Sequence, residues 1–329
     1  MRAIVLGLFA SIFFSTTFVL NRAMDLDGGH WIWSGALRYF FMVPFLLVFV
    51  LVRRNLRPLL QDLLRRPWLW IRWGTVGFGL FYAPLCLAAA YGPSWLLAGT
   101  FQITIIAGSL LVPLFYERVD TPNGPLLRRQ KIPFRGLGFS LIILLGIVLV
   151  QADQARALSW HDLLFGLIPV LIGAFAYPLG NRKMMTQLDG KFDTFQRTLG
   201  MTLGSIPFWL LLSAFGLADA GLPSAGQVGQ SLVVALCSGV VATLLFFYAT
   251  DLAKGNPQRL SAVEATQSGE VVFTTLGEML LLGTAWPSPL ALGGLFTVVV
   301  GMVLHSFSAR AKPKPKPQTP PLQPLDKAN

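Results

Sequence analysis

The sequence predicts an all-α membrane protein of ten transmembrane helices arranged as two inverted five-helix repeats, and three observations carry that prediction. Of its 329 residues, 54% are hydrophobic and only 12% charged, which places the chain on the apolar side of any soluble domain. Apolar runs of the length a bilayer requires, about 20 residues, recur from end to end and leave no stretch for a soluble domain. Pieces of the first half return, in order, in the second.

The first span covers Ala3 to Leu20. Arg2 ahead of it gives the look of a signal peptide, but no small-residue cleavage motif follows and the run is long enough to cross, so it is read as a helix. The next three spans are Trp31 to Val52, Leu69 to Ala90 and Trp95 to Phe115. The fifth, Leu137 to Val150, has 14 residues and must borrow neighbours such as Phe134 and Gln151 to cross. Spans six to eight are Leu163 to Leu179, Leu199 to Leu217 and Ser231 to Thr250. The last two are Leu260 to Leu282 and Leu290 to Phe307. Residues 309–329, with the run KPKPKPQTPP from Lys312, read as an extended, disordered basic tail.

The net charge of +11 would suggest nucleic acid in a soluble chain, but here the basic residues sit in short loops, so no nucleic-acid partner is expected. Their distribution reports orientation instead. With the N-terminus inside, 21 Lys and Arg fall on the cytoplasmic side and two, Arg22 and Arg156, outside. This predicts a multi-pass protein of the inner cell membrane with both termini cytoplasmic. Cys86 and Cys237 lie in apolar runs and read as small buried hydrophobes. Trp31, Trp33, Trp68 and Trp70 read as interfacial belt residues.

Asn21-Arg22-Ala23-Met24 matches Asn181-Arg182-Lys183-Met184 at an offset of 160. Leu87 to Gln102 lies over Leu252 to Gln267 at 165, with turns at Pro93 and Pro257, and Arg38 matches Arg197 at 159. The repeats are therefore 1–151 and 160–308. Five helices is an odd number, so the second copy enters from the opposite side, an arrangement that sets a substrate site near the midplane between the halves.

On the segment Ser109 to Glu117 (SLLVPLFYE), the segment Glu264 to Phe273 (EATQSGEVVF) and the glycines Gly293, Gly294 and Gly301, the chain resembles the drug/metabolite transporter superfamily. Within it the likeness is to the ten-helix EamA-like branch and its multidrug resistance efflux group. The likeness covers nearly the whole chain before the tail, and drug efflux is what it implies. The chain departs from many relatives at the end of span nine, where Gly283-Thr284 stands in place of an acid, so Glu117 reads as an interfacial loop residue.

Ionisable groups inside a bilayer cost at least about 2.5 kcal/mol each, so those retained usually face a cavity or a partner. Span nine holds three acids. At 100° per residue Glu264, Gln267 and Glu278 share one side with Glu270 on its flank, and at 1.5 Å per residue Glu270 lies about 15 Å deep against about 6 Å for Glu264. Glu270 reads as a cavity acid for a cation or coupling proton, with Glu264 as its partner or alternate. The competing account of either is an acid locked to an arginine. Glu278 reads as a rim residue. Arg38 and Arg197 are read as pairing with these acids, receiving an anionic substrate group, or snorkelling. Gln102 and Gln267 read as two walls of one pocket, against helix-to-helix hydrogen bonding. Tyr82, Trp95, Phe101, Tyr177 and Tyr248 are candidate lining for a lipophilic substrate, and Gly200 with Gly204 reads as packing within the monomer.

The leading expectation is a secondary carrier exporting small organic molecules, drugs or metabolites, by proton exchange, with no cofactor or metal and no enzymatic activity. Its partners are a small-molecule substrate and the lipid bilayer, and a homodimer is allowed. The reading from a different class is an intramembrane enzyme acting on a lipid or lipid-linked substrate. Against that stand His30, His161 and His305, which lie near span ends without a metal motif.

Overall fold

A computed structural model of the chain describes residues 2–91, 94–121, 124–155, 159–283 and 286–308, with the side chains of 117–127, 135, 153–155 and 162–163 left aside. It is mostly helical, an all-α membrane architecture with one small addition. The helices are α1 (Arg2–Leu26), α2 (Trp31–Val52), α3 (Leu56–Arg65), α4 (Pro67–Tyr91) and α5 (Ser94–Leu114). After them come α6 (Phe134–Ala155), α7 (Trp160–Leu188), α8 (Thr194–Ala220) and α9 (Ala225–Leu252). The chain ends in α10, spanning 257–281, and α11 (Pro289–Ser308). Eight helices among the described residues are long and apolar enough to cross a membrane. The other two long ones, α6 and α10, coincide with the short fifth run and the acid-bearing ninth.

Local chemistry sets the helix ends. Proline opens α4, α10 and α11, where its missing N–H costs nothing. Asp193 caps α8 in a reciprocal box with Gln196, and Gly221 at φ 72° ends it. α4 contains a π-helical segment at Thr75–Gly79 and α9 another at Ala235–Ala242. α5 breaks at Gln102, and α10 narrows to a 3₁₀ turn at Thr266–Ser268.

Glycines allow the closest helix approaches. A Cβ on Gly146 of α6 would come within 2.7 Å of the Gly294 carbonyl of α11, so only glycine fits where these two helices cross. Gly200 and Gly204 face Trp70 of α4, packing within the monomer as the sequence reading has it. Besides α6 on α11 and α2 on α8, the main packings are α4 on α7, α1 on α9, α5 on α7, α1 on α10, α4 on α8 and α2 on α9.

Several expectations need correction. The segment after α5 is not a plain loop but an antiparallel hairpin, β1 (Tyr116–Thr121) with β2 (Gly124–Arg129). Amphipathic α3, which buries Leu59 and Asp62, has no counterpart in the predicted spans because its apolar residues never form a continuous run. Trp68 is exposed as a belt residue would be, whereas Trp33 and Trp70 are buried and spend their indole N–H on the Gly221 carbonyl and on Asp62. Glu117 lies in β1 with its side chain outside the described set, and Pro93, Arg156, Thr284 and the tail 309–329 also lie outside the described residues.

Candidate functional site

Within the bundle lies a small cavity of about 10 Å³, room for about one water. α1 supplies Phe14, Thr17 and Phe18; α4 supplies Phe81; α5 supplies Phe101; α7 supplies Tyr177. The polar part of the wall is Thr17, Ser238 of α9, and Gln267 and Glu270 of α10. The 3₁₀ turn sets the last two: Thr266 and Ser268 fold their hydroxyls back onto the Val263 and Ala265 carbonyls, both at 2.6 Å.

Glu270 is 1% exposed, and among the described residues neither carboxylate oxygen has a hydrogen-bond partner in good geometry. Buried polar atoms are nearly always paired, and a lone carboxylate in an apolar medium is very costly, so this group marks a site that expects an occupant. Gln102 of α5 approaches the carboxyl as a weak hydrogen-bond donor outside good geometry, and Arg38 of α2 acts on it through its charge. The Gln102 amide nitrogen donates to the Ala98 carbonyl at 3.0 Å while its oxygen is unpartnered. The Tyr177 hydroxyl is also buried without a partner, and its ring stacks on Phe246 at 5.8 Å. Of the two glutamines expected as facing walls, only Gln267 lines the cavity; Gln102 stands outside its wall, where the break in α5 turns its amide back onto the Ala98 carbonyl, and it reaches toward Glu270 from the other half of the chain.

Arg38 is fully buried and makes no ion pair among the described residues. It donates to Thr17 Oγ1 at 3.1 Å, and its guanidinium lies 4.0 Å from the centroid of Tyr82. Tyr82 lies outside the cavity wall and donates to Asn21 Oδ1 at 3.2 Å. Thr17 in turn donates to Ser238 Oγ, so a short relay links Arg38 to the polar wall.

Two pairing expectations are corrected. Glu264 is not a partner of Glu270: Arg182 of α7 grips it through Nε at 2.9 Å and Nη2 at 2.7 Å, with both side chains 4% exposed. Arg197 meets no span-nine acid: it bonds Asp251 at 2.5 Å and lies 4.8 Å from the Phe247 ring. Glu278 is buried beside Ser94 rather than exposed at the rim. Tyr248 lies away from the cavity on the outer face of α9, and Trp95 is half-buried outside its wall. Thr17, Ser238 and Phe14 were missed because nothing in a linear pattern distinguishes them from other span residues. Arg182 carried a signal, its match to Arg22 under the repeat. Among the described residues no cluster of His, Cys, Asp and Glu is placed to hold a metal.

The family model EmrE, described as "Putative multidrug resistance efflux transporter", matches residues 1–311. The chain is 57% identical over 320 residues to the uncharacterized protein YjlA of Bacillus subtilis (strain 168), covering 97% of this chain and 99% of that one. It is 50% identical over 270 residues to an uncharacterized 42.1 kDa protein of Shouchella clausii encoded 3′ of an intracellular alkaline protease, covering 82% and 70%. A solved structure known only as a protein crystal structure shares the fold, with a TM-score of 0.67 at 15% identity over 94% of this chain and 97% of its own.

Proposed function

This chain belongs to the EmrE family of multidrug resistance efflux transporters, in the drug/metabolite transporter superfamily, and we propose that it exports small organic cations in exchange for protons, with Glu270 as the shared site. The observation that carries the reading is the buried, unpartnered Glu270 carboxylate in an aromatic-walled cavity. Burial favours its neutral form, whereas a cation beside it favours the charged one. Proton and cation then exclude each other at one group, the linkage an antiporter needs. The rings of Phe14, Phe81, Phe101 and Tyr177 supply π faces for the same cation.

Ten membrane crossings in two inverted repeats, with both termini in the cytoplasm, complete the proposal. The packing supports it. Exchanging each helix for its repeat counterpart turns α4 on α7 into α9 on α1, α5 on α7 into α10 on α1, and α2 on α9 into α8 on α4. The π segments fall in counterparts α4 and α9, and the breaks at Gln102 and Gln267 in counterparts α5 and α10. Arg38 over Tyr82 is matched by Arg197 over Phe247, and Asn21, bonded to Cys86 of α4, by Asn181, bonded to Thr250 of α9 one position away from the counterpart of Cys86.

The test is efflux from proteoliposomes under an imposed pH gradient, with a panel of organic cations. The parent should drive at least one cation, and Glu270→Gln, the mimic of the protonated state, should insert normally yet lose gradient-driven flux. A Glu270→Gln protein with the parental rate and pH dependence would end the assignment.

A further inference from the structure

A second and larger void lies apart from the central cavity, between α1, α2, α8 and α9, at the level where α2 ends and α8 begins. It encloses about 490 Å³, inside the range of about 300–1,000 Å³ typical of ligand sites. Its wall is apolar, formed by Leu6, Leu244, Leu245 and Phe195, and the exposed side chains of Val5 and Phe9 continue that surface along α1. Its rim is basic. Arg53 lies 4.7 Å over the Phe195 ring, and Arg2 stands 5.8 Å from the ring of Tyr248. The acid that faces them is Asp193, which Arg53 approaches through Nε at 3.4 Å with half of its own side chain still exposed. Asp193 is also committed to capping α8 through the Gln196 N–H.

We propose that this groove is a binding site for an anionic phospholipid, with the phosphate between Arg2 and Arg53 and an acyl chain along Leu6, Leu244 and Leu245. The charge complementarity picks the occupant: two arginines against one already engaged carboxylate leave the rim positive, which excludes a cationic substrate. The apolar wall, continuous with the flank of α1, calls for a chain that a soluble phosphate lacks. The assignment rests on the proposed orientation, which sets Arg2, Arg53 and the start of α8 at the cytoplasmic surface, where the leaflet is anionic and basic pockets between helices take acidic headgroups.

The full-length protein in neutral detergent should retain phosphatidylglycerol through native mass spectrometry and gain thermal stability from it, and phosphatidylcholine should do neither. Arg53→Ala and Arg2→Ala should each weaken phosphatidylglycerol binding roughly fivefold. Leu245→Trp, which fills the groove without touching charge, should block binding of the lipid. Equal retention of both lipids, or an undiminished preference in the double arginine variant, would overturn the proposal. So would a stability gain from inorganic phosphate alone equal to that from the lipid. A reporter fused after Lys191 reads the orientation separately, so a cytoplasmic signal without lipid preference defeats the lipid site and leaves the orientation standing.

Discussion

Arg182 and Glu264 meet through two parallel hydrogen bonds, of 2.9 and 2.7 Å, in a part of the bundle from which water is excluded. The pair ties α7 to α10, so it holds the two helices that carry Tyr177 and Glu270 in fixed register. Removing one partner strands a buried charge, and Glu264→Ala should cost about 3–5 kcal/mol. The double variant Arg182→Met/Glu264→Leu should melt closer to the parent than either single change. Thermal unfolding in detergent followed by tryptophan fluorescence reads both.

Glu270 should behave in the opposite way. Among the described residues its carboxylate has no well-formed hydrogen bond to lose, so Glu270→Gln should leave the melting temperature equal to or above the parent's while transport fails. A melting temperature well below the parent's would show an undetected structural partner.

Asp62, on α3 outside the long apolar helices, gives stability a pH dependence. Burial raises its pKa, but hydrogen bonds from Lys191, Arg66 and Trp70 outweigh this and hold the carboxyl below its usual range. A group whose pKa is depressed on folding contributes stability above its unfolded value, and that stability is lost as pH falls through the folded one. Melting temperature should therefore be flat near neutrality and drop on acidification below about pH 4. Asp62→Asn should lower the neutral plateau and flatten that drop. A parallel displacement of the whole curve by Asp62→Asn would rule the linkage out.

Gly204 packs directly against the backbone carbonyl of Trp70, and Gly200 against its ring. Neither backbone nor a buried indole can step aside, so Gly204→Ala should destabilise by about 1–3 kcal/mol. Gly229, with open space around it, should accept alanine at little cost.

The spans were legible because hydropathy and length suffice for them: α2 begins and ends where the apolar run does, at Trp31 and Val52. What failed was pairing. Arg182 was counted with the loop after the sixth span, but α7 continues to Leu188 and keeps it buried. Asp251 sat at the end of the eighth run with nothing to tie it to Arg197, more than fifty residues earlier. Depth along a helix can be counted from a sequence, which is why Glu270 could be singled out. Which neighbour faces it depends on how helices from both halves cross, and hydropathy does not encode that.

The central cavity is only about 10 Å³, so in this conformation no organic molecule fits beside Glu270. Any substrate must therefore bind a different member of the ensemble, and its apparent affinity is weakened by the fraction of molecules in that state. Trimming the wall with Phe14→Ala or Phe101→Ala would enlarge the space in the resting form and lift part of this tax. Such a variant would hold cations more tightly while turning over more slowly, because what once had to open already stands open. Selectivity in this protein would then lie in the work of making room, and less in the shape of any pocket that a single conformation displays.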